Sequence, residues 1–132
     1  MKRRAWLGLS LLATSASAQD SAPWREALAR ARMHRDDAVR AGDQPYGAVV
    51  VKVGRVVGDG PSRVVTRNDP TAHAEMEAIR DAARRLGTRD LSGCVLVSTS
   101  RACGMCESAA AWARIDRMVY GEGTDGGRPA VR

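Results

Sequence analysis

The run Ala48-Val49-Val50-Val51, resumed at Val53 after Lys52, is apolar and mostly β-branched with almost no polar alternation. Such a strand is buried on both faces, so it must lie inside a sheet with layers packed above and below it. The rest of the chain has to supply those layers. Trp24 to Ala41 reads as a helix, entered through Ser21-Ala22-Pro23 and left at Gly42, with Trp24, Ala27, Leu28, Ala31 and Ala38 at spacings that line one face. After the apolar strand, Gly54-Arg55 turns the chain into a short second strand, Val56-Val57, as a hairpin. Gly58 to Asn68, with Gly58, Gly60 and Pro61, reads as loop.

A second helix is predicted to open with Asp69 as its N-cap and Pro70 at its first position. It runs to about Leu86 and stops at Gly87, with Met76, Ile79, Ala83 and Leu86 as its inward stripe. Cys94 to Val97 is the next buried strand, Cys103 opens a helix ending near Ala113, and Met118 to Tyr120 is a last strand. Residues Glu122 to Arg132, rich in Gly, Thr, Asp and Arg, read as a flexible tail. The alternation of helices and apolar strands suits an α/β chain whose mixed sheet lies between helical layers. At 132 residues this is one domain.

Chemistry concentrates in Asp69-Pro70-Thr71-Ala72-His73-Ala74-Glu75 and in Cys103-Gly104-Met105-Cys106. One imidazole, two thiols and a carboxylate are the inventory of a catalytic zinc site with three protein ligands and an open position. Cys103 and Cys106, three apart at a helix start, share a face near the positive end of the dipole, a setting that favours thiolates. Thiolates also serve a redox dithiol, and Cys-x-x-Cys after a buried strand is compatible with a thioredoxin-like oxidoreductase. That reading gives His73 and Glu75 no work, and it leaves only one helix and one strand after the motif. His34, on an Arg-rich helix, reads as an ordinary packed or surface residue. Two positions apart on a regular helix, His73 and Glu75 face different ways, so spacing alone does not bring Glu75 to the metal.

The pattern His-x-Glu followed by Cys-x-x-Cys is the signature of zinc nucleobase deaminases. From about Trp24 to Gly121 the chain resembles the cytidine and deoxycytidylate deaminase superfamily, and within it the guanine deaminase and tRNA adenosine deaminase branch. Pro45-Tyr46-Gly47-Ala48-Val49-Val50, Asn68 to Met76 with Ala78-Ile79-Arg80, and Trp112-Ala113-Arg114-Ile115 carry the likeness. The resemblance implies a three-layer α/β/α cytidine-deaminase-like fold around a mixed sheet of about five strands. It implies Zn2+ held by His73, Cys103 and Cys106, a water activated by the metal, and Glu75 as the group that shuttles protons while an amidine carbon loses its amine as ammonia. Substrate contacts are expected near Ser62, Ala74, Arg101 and Ala102. A homodimer is expected on the same ground.

The chain departs from the family around the thiols. Relatives place Glu-Pro before the first cysteine, where this chain has Arg101-Ala102, and an asparagine eleven positions before the zinc histidine, where it has Ser62. A serine hydroxyl is shorter than an amide and cannot make its paired contacts. The expected function is hydrolytic deamination of a free nucleobase or nucleoside, a guanine-type purine being favoured. The competing readings are a catalytically retired deaminase fold that keeps its zinc, and then the redox dithiol. Nucleic acid is not the expected partner, because no basic and aromatic tract is concentrated in one place.

The first residues read as an export signal: Lys2-Arg3-Arg4, an apolar run from Ala5 to Ala13, then Ala16-Ser17-Ala18 as a cleavage site. The run is too short to span a bilayer, so no membrane attachment follows cleavage. Arg3-Arg4 loosely resembles a twin-arginine signal. Removal of this segment takes three of the 21 basic residues and leaves a milder balance against 15 acidic ones. The deaminase-like domain is then 19–121 and the product is periplasmic or secreted. N-terminal sequencing of the native protein is expected to begin at Gln19; an intact Met1 would contradict export.

Overall fold

The structure, a computed structural model, describes residues 24–132. The export segment expected at 1–18 lies outside them. Among the described residues no helix is long and apolar enough to cross a membrane.

A five-stranded sheet forms the middle layer in the order β2-β1-β3-β4-β5. Strand β1 (Gly47–Lys52) runs antiparallel to both β2 (Arg55–Pro61) and β3 (Cys94–Ser98). Strand β4 (Arg117–Tyr120) is parallel to β3, and β5 (Thr124–Gly127) returns antiparallel to β4. Val49 and Val50 are both fully buried, as an unbroken apolar strand requires. Their side chains alternate between layers. Val49 and Val51 pack with Ala27, Leu28 and Ala31 of α1 (Arg25–Arg40). Ala48 and Val50 pack with Ala74, Ala78 and Ala82 of α2 (Ala74–Leu86) and with Ala110 of α3 (Gly104–Trp112). The three-layer α/β/α arrangement expected from the sequence is the observed one.

The second strand is longer than Val56-Val57, and its extension through Gly58, Gly60 and Pro61 corrects the expected loop. These residues pair with β1, and at Gly58 and Gly60 α2 leaves no room for a side chain. A Cβ on Gly58 would lie 2.5 Å from the Ala78 oxygen and the Ala82 nitrogen, and one on Gly60 would lie 2.9 Å from Glu77 Cβ. Glycine therefore lets helix backbone rest on strand backbone. Pro61 closes an edge strand opposite Gly47, where a missing N–H costs little. On the other face, a side chain at Gly47 would collide with the Ala31 carbonyl of α1.

Two further expectations change. The second helix starts at Ala74 rather than Pro70, with His73 at its N-cap in an extended conformation (φ −60°, ψ 152°). Asp69 makes a local turn instead: Oδ1 accepts from Thr71 N–H at 2.8 Å and from its hydroxyl at 2.7 Å, and its carbonyl accepts from Ala72 N–H at 3.1 Å. The helix does end at Gly87, in the left-handed region at φ 67°. The segment 122–132, expected as a tail, contains β5 and then folds back on α3. Arg132 donates to the Glu107 carboxylate at 3.0 and 3.3 Å, and Ala130 N–H donates to the same group at 3.2 Å. Composition gives no sign of this, because backbone pairing and one ion pair carry it.

The seat of α2 yields a direct test. Gly58→Ala is expected to lower unfolding free energy in urea by about 2–3 kcal/mol or more, as overpacking does, because the obstructing atoms are backbone. A loss below about 0.5 kcal/mol would show that α2 does not rest on this residue.

Candidate metal centre

Three connections meet at one edge of the sheet: Gln44-Pro45-Tyr46 before β1, the loop from Ser62 to His73 before α2, and Thr99 to Cys103 before α3. Strand pairing holds them together, since Thr99 N–H donates to the Gly47 carbonyl at 3.0 Å and Ser62 N–H to the Tyr46 carbonyl at 3.0 Å. His73 and Cys103 are the N-caps of α2 and α3, and Cys106 lies in the first turn of α3. His73 Nδ1 lies 3.6 Å from Cys103 Sγ and 3.5 Å from Cys106 Sγ. All three donor atoms fall within 4.8 Å of one another.

The donor set fits a tetrahedral zinc ion. Zinc–sulfur and zinc–nitrogen bonds of usual length, meeting at a tetrahedral angle, separate sulfur from nitrogen by about 3.6 Å. The chemistry agrees with the spacing. Burial, then the charges of Glu75 and Cys103, push the Cys106 thiol well above its ordinary range. A metal ion among the three donors would offset that burial and favour the thiolate. A redox dithiol leaves His73, set against both sulfurs, without work.

Glu75 follows His73 by two positions, yet both line one pocket of roughly 390 Å³ with Cys103. The helical spacing that set them apart does not apply, because His73 precedes the helix. Glu75 is 5% exposed. Burial pushes its carboxyl above the ordinary range, against a hydrogen bond with Cys106 and the nearby His73.

The expected substrate contacts divide. Arg101 lies exposed on the pocket wall. Ala74 is fully buried in the core and Ala102 packs against that core. Ser62 is 2% exposed and its hydroxyl donates to Asp43 Oδ1 at 2.9 Å, so it is occupied as a scaffold group. Gln44, Pro45 and Tyr46 line the pocket, a role that the sequence motifs do not assign to them. The signal that could have found them is position: a break immediately before the central strand must lie at the same edge as the start of α2. His34 has a packing role, with Nε2 2.9 Å from Asp59 Oδ2.

Comparison with known proteins agrees with this geometry. Residues 19–122 match the family described as the cytidine and deoxycytidylate deaminase zinc-binding region. The chain belongs to this family. It is 46% identical over 76 residues to guanine deaminase of Bacillus subtilis, covering 58% of this chain and 49% of that protein. It is 42% identical over 83 residues to tRNA-specific adenosine deaminase of Aquifex aeolicus, covering 63% and 55%. The solved structure of the Bacillus subtilis guanine deaminase superposes with a TM-score of 0.69 at 43% identity, over 72% of this chain and 61% of that one. The chain thus spans about half the length of the curated relatives it matches. Zinc is the metal of the family, and the three donors here are arranged to take it.

Purified protein is expected to carry one zinc per chain by elemental analysis. Removing one donor, in His73→Ala or Cys106→Ala, should weaken zinc binding by more than tenfold in a chelator competition, because a three-donor site then keeps two. Unchanged affinity in either variant would place the metal elsewhere.

Proposed function

We propose that the chain is a zinc-dependent hydrolytic deaminase of a free nucleobase or nucleoside, with a guanine-type purine as the favoured substrate. The observation that carries this is Glu75: a buried carboxyl, raised by burial, set beside a His/Cys/Cys donor set on the wall of an open pocket. A purely structural zinc site has no use for such a group.

His73, Cys103 and Cys106 would hold the ion. When bound, zinc supplies a Lewis acid that brings the acidity of water toward neutral pH. Glu75 then moves the protons. It accepts one from the water that adds to the amine-bearing carbon and passes it to the adjacent ring nitrogen. It carries the second to the exocyclic nitrogen. The C–N bond breaks, ammonia leaves, and the carbon keeps the oxygen as an oxo group. A carboxyl raised by burial both accepts and returns protons. Arg101, exposed on the wall, faces the substrate side.

Both named relatives are deaminases, one of guanine and one of tRNA adenosine. The small pocket and the absence of a concentrated basic and aromatic tract favour the free base over tRNA. A homodimer is part of this reading, supported by Trp112, which is 77% exposed beside a groove lined by Ile79, Ala83 and Ala109.

Ammonia release from guanine, adenine, cytosine, their nucleosides and a tRNA anticodon stem tests the proposal. Turnover of a purine base is expected, with Glu75→Gln reducing kcat by about 10²–10⁴-fold at unchanged zinc content. Full zinc with no turnover on the panel would identify a retired fold. Light scattering on the same preparation is expected to give the mass of a dimer.

A further inference from the structure

In relatives the position of Ser62 carries an asparagine that contacts substrate, and here that contact has no counterpart in place. The Ser62 side chain is buried and committed to Asp43. Asp43 in turn gathers N–H groups from Gln44 at 2.8 Å, Val65 at 3.1 Å and Thr66 at 2.8 Å. Burial opposes the Asp43 charge, but the bonds from Thr66, Gln44 and Ser62 together hold its carboxyl far below the ordinary range. One carboxylate therefore fixes the residue beside it. The Gln44 backbone is pinned a second time by its own carbonyl, which accepts from Tyr46 N–H at 2.8 Å.

Gln44 is exposed and lines the same pocket as His73, Glu75 and Cys103. Among the described residues its hydrogen bonds run through the backbone alone, so its side-chain amide is uncommitted. It is the one primary amide among the residues lining that pocket. A primary amide offers a donor and an acceptor side by side, which a serine hydroxyl cannot. In a 2-amino-6-oxopurine the reacting amidine must turn to Glu75 and the metal donors. The neighbouring edge is then the lactam, N1–H next to C6=O, which is a matching donor and acceptor pair.

We propose that Gln44 is the specificity-determining residue of this site, reading the lactam edge of an oxopurine in place of the family asparagine. This rests on the deaminase reading of the pocket and names the group that selects its substrate. The side chain stays free because Asp43 holds only the backbone. Pinning that backbone lowers the ordering cost that an exposed loop residue otherwise imposes on binding.

Binding to the zinc-loaded full chain carrying Glu75→Ala separates recognition from turnover. Dissociation constants are measured for guanine and for 2-aminopurine, which keeps the reacting amine and lacks the lactam. With Gln44 present, guanine is expected to bind about 10- to 100-fold tighter, the discrimination of a paired hydrogen-bond contact. Gln44→Ala, and Gln44→Met as a variant of equal length, should bring that ratio near one and leave 2-aminopurine within about twofold, a change too small for a lost hydrogen bond. Zinc content and thermal midpoint should not move. An unchanged ratio, or equal weakening of both ligands, overturns the assignment. An intact effect on the ratio with no ammonia release from the unsubstituted chain would end the hydrolase reading and leave Gln44 as a recognition residue.

Discussion

Backbone contact between α2 and β2 at Gly58 fixes the helix that carries His73 at its N-cap and Glu75 in its first turn. With a Cβ at Gly58 falling 2.5 Å from the backbone of Ala78 and Ala82, the helix cannot rise or roll without opening a gap through the core layer formed by Ala74, Ala78 and Ala82. Its first turn, and hence Glu75, is set by that seat. The third helix reaches the same edge by a different route. Because β3 and β4 are parallel, the chain must cross over between them, and the crossover delivers Cys103 at the carboxyl end of β3. Two helix N-termini meet there because a helix–strand contact and a crossover both end at one sheet edge.

The first turn of α2 also shows how placement decides what a carboxylate does. Glu75 and Glu77 are both nearly buried, at 5% and 3% exposure. Two positions apart on a helix, they face different surroundings. Glu77 is held by three guanidinium groups, from Arg63 at 2.8 Å, Arg67 at 3.2 Å and Arg80 at 3.3 Å, and so ties the loop before His73 to the helix. Among the described residues Glu75 has no such cationic clamp; burial dominates, and its carboxyl is pushed up. The same residue type, on the same turn, is a structural tie in one case and a buried carboxyl on a pocket wall in the other.

Much of this is legible in the amino-acid sequence, and the misses share a cause. The unbroken valine run demands layers on both sides, and Cys-x-x-Cys with His-x-Glu names the donors. What misleads is the commonest local role of each residue. Asp69-Pro70 is a good helix opening, but Asp69 spends its side chain on Thr71, leaves His73 extended, and so removes the conflict between His73 and Glu75. Gly58 and Gly60 are good loop residues, but a packed helix makes glycine the residue a strand needs there. Segment 122–132 lacks apolar periodicity, yet its strand rests on pairing with β4 and its return on Glu107. For the glycines and for this segment a distant partner, invisible to a local window, decides the outcome.

The departures from the family pattern sort themselves by the same physics. Ala102 packs on the core, and Ser62 is absorbed by Asp43, so two of the three substitutions belong to the scaffold. Arg101 alone remains exposed on the pocket wall, opposite in charge to the glutamate of relatives. Donor geometry is held by backbone contacts that tolerate almost no change, because moving a helix disturbs the whole layer. Loop side chains at the pocket carry no such constraint and can be exchanged at small cost to the fold. A chain can therefore keep one donor set while its pocket wall changes, and here the exposed change on that wall is Arg101, on the segment before α3.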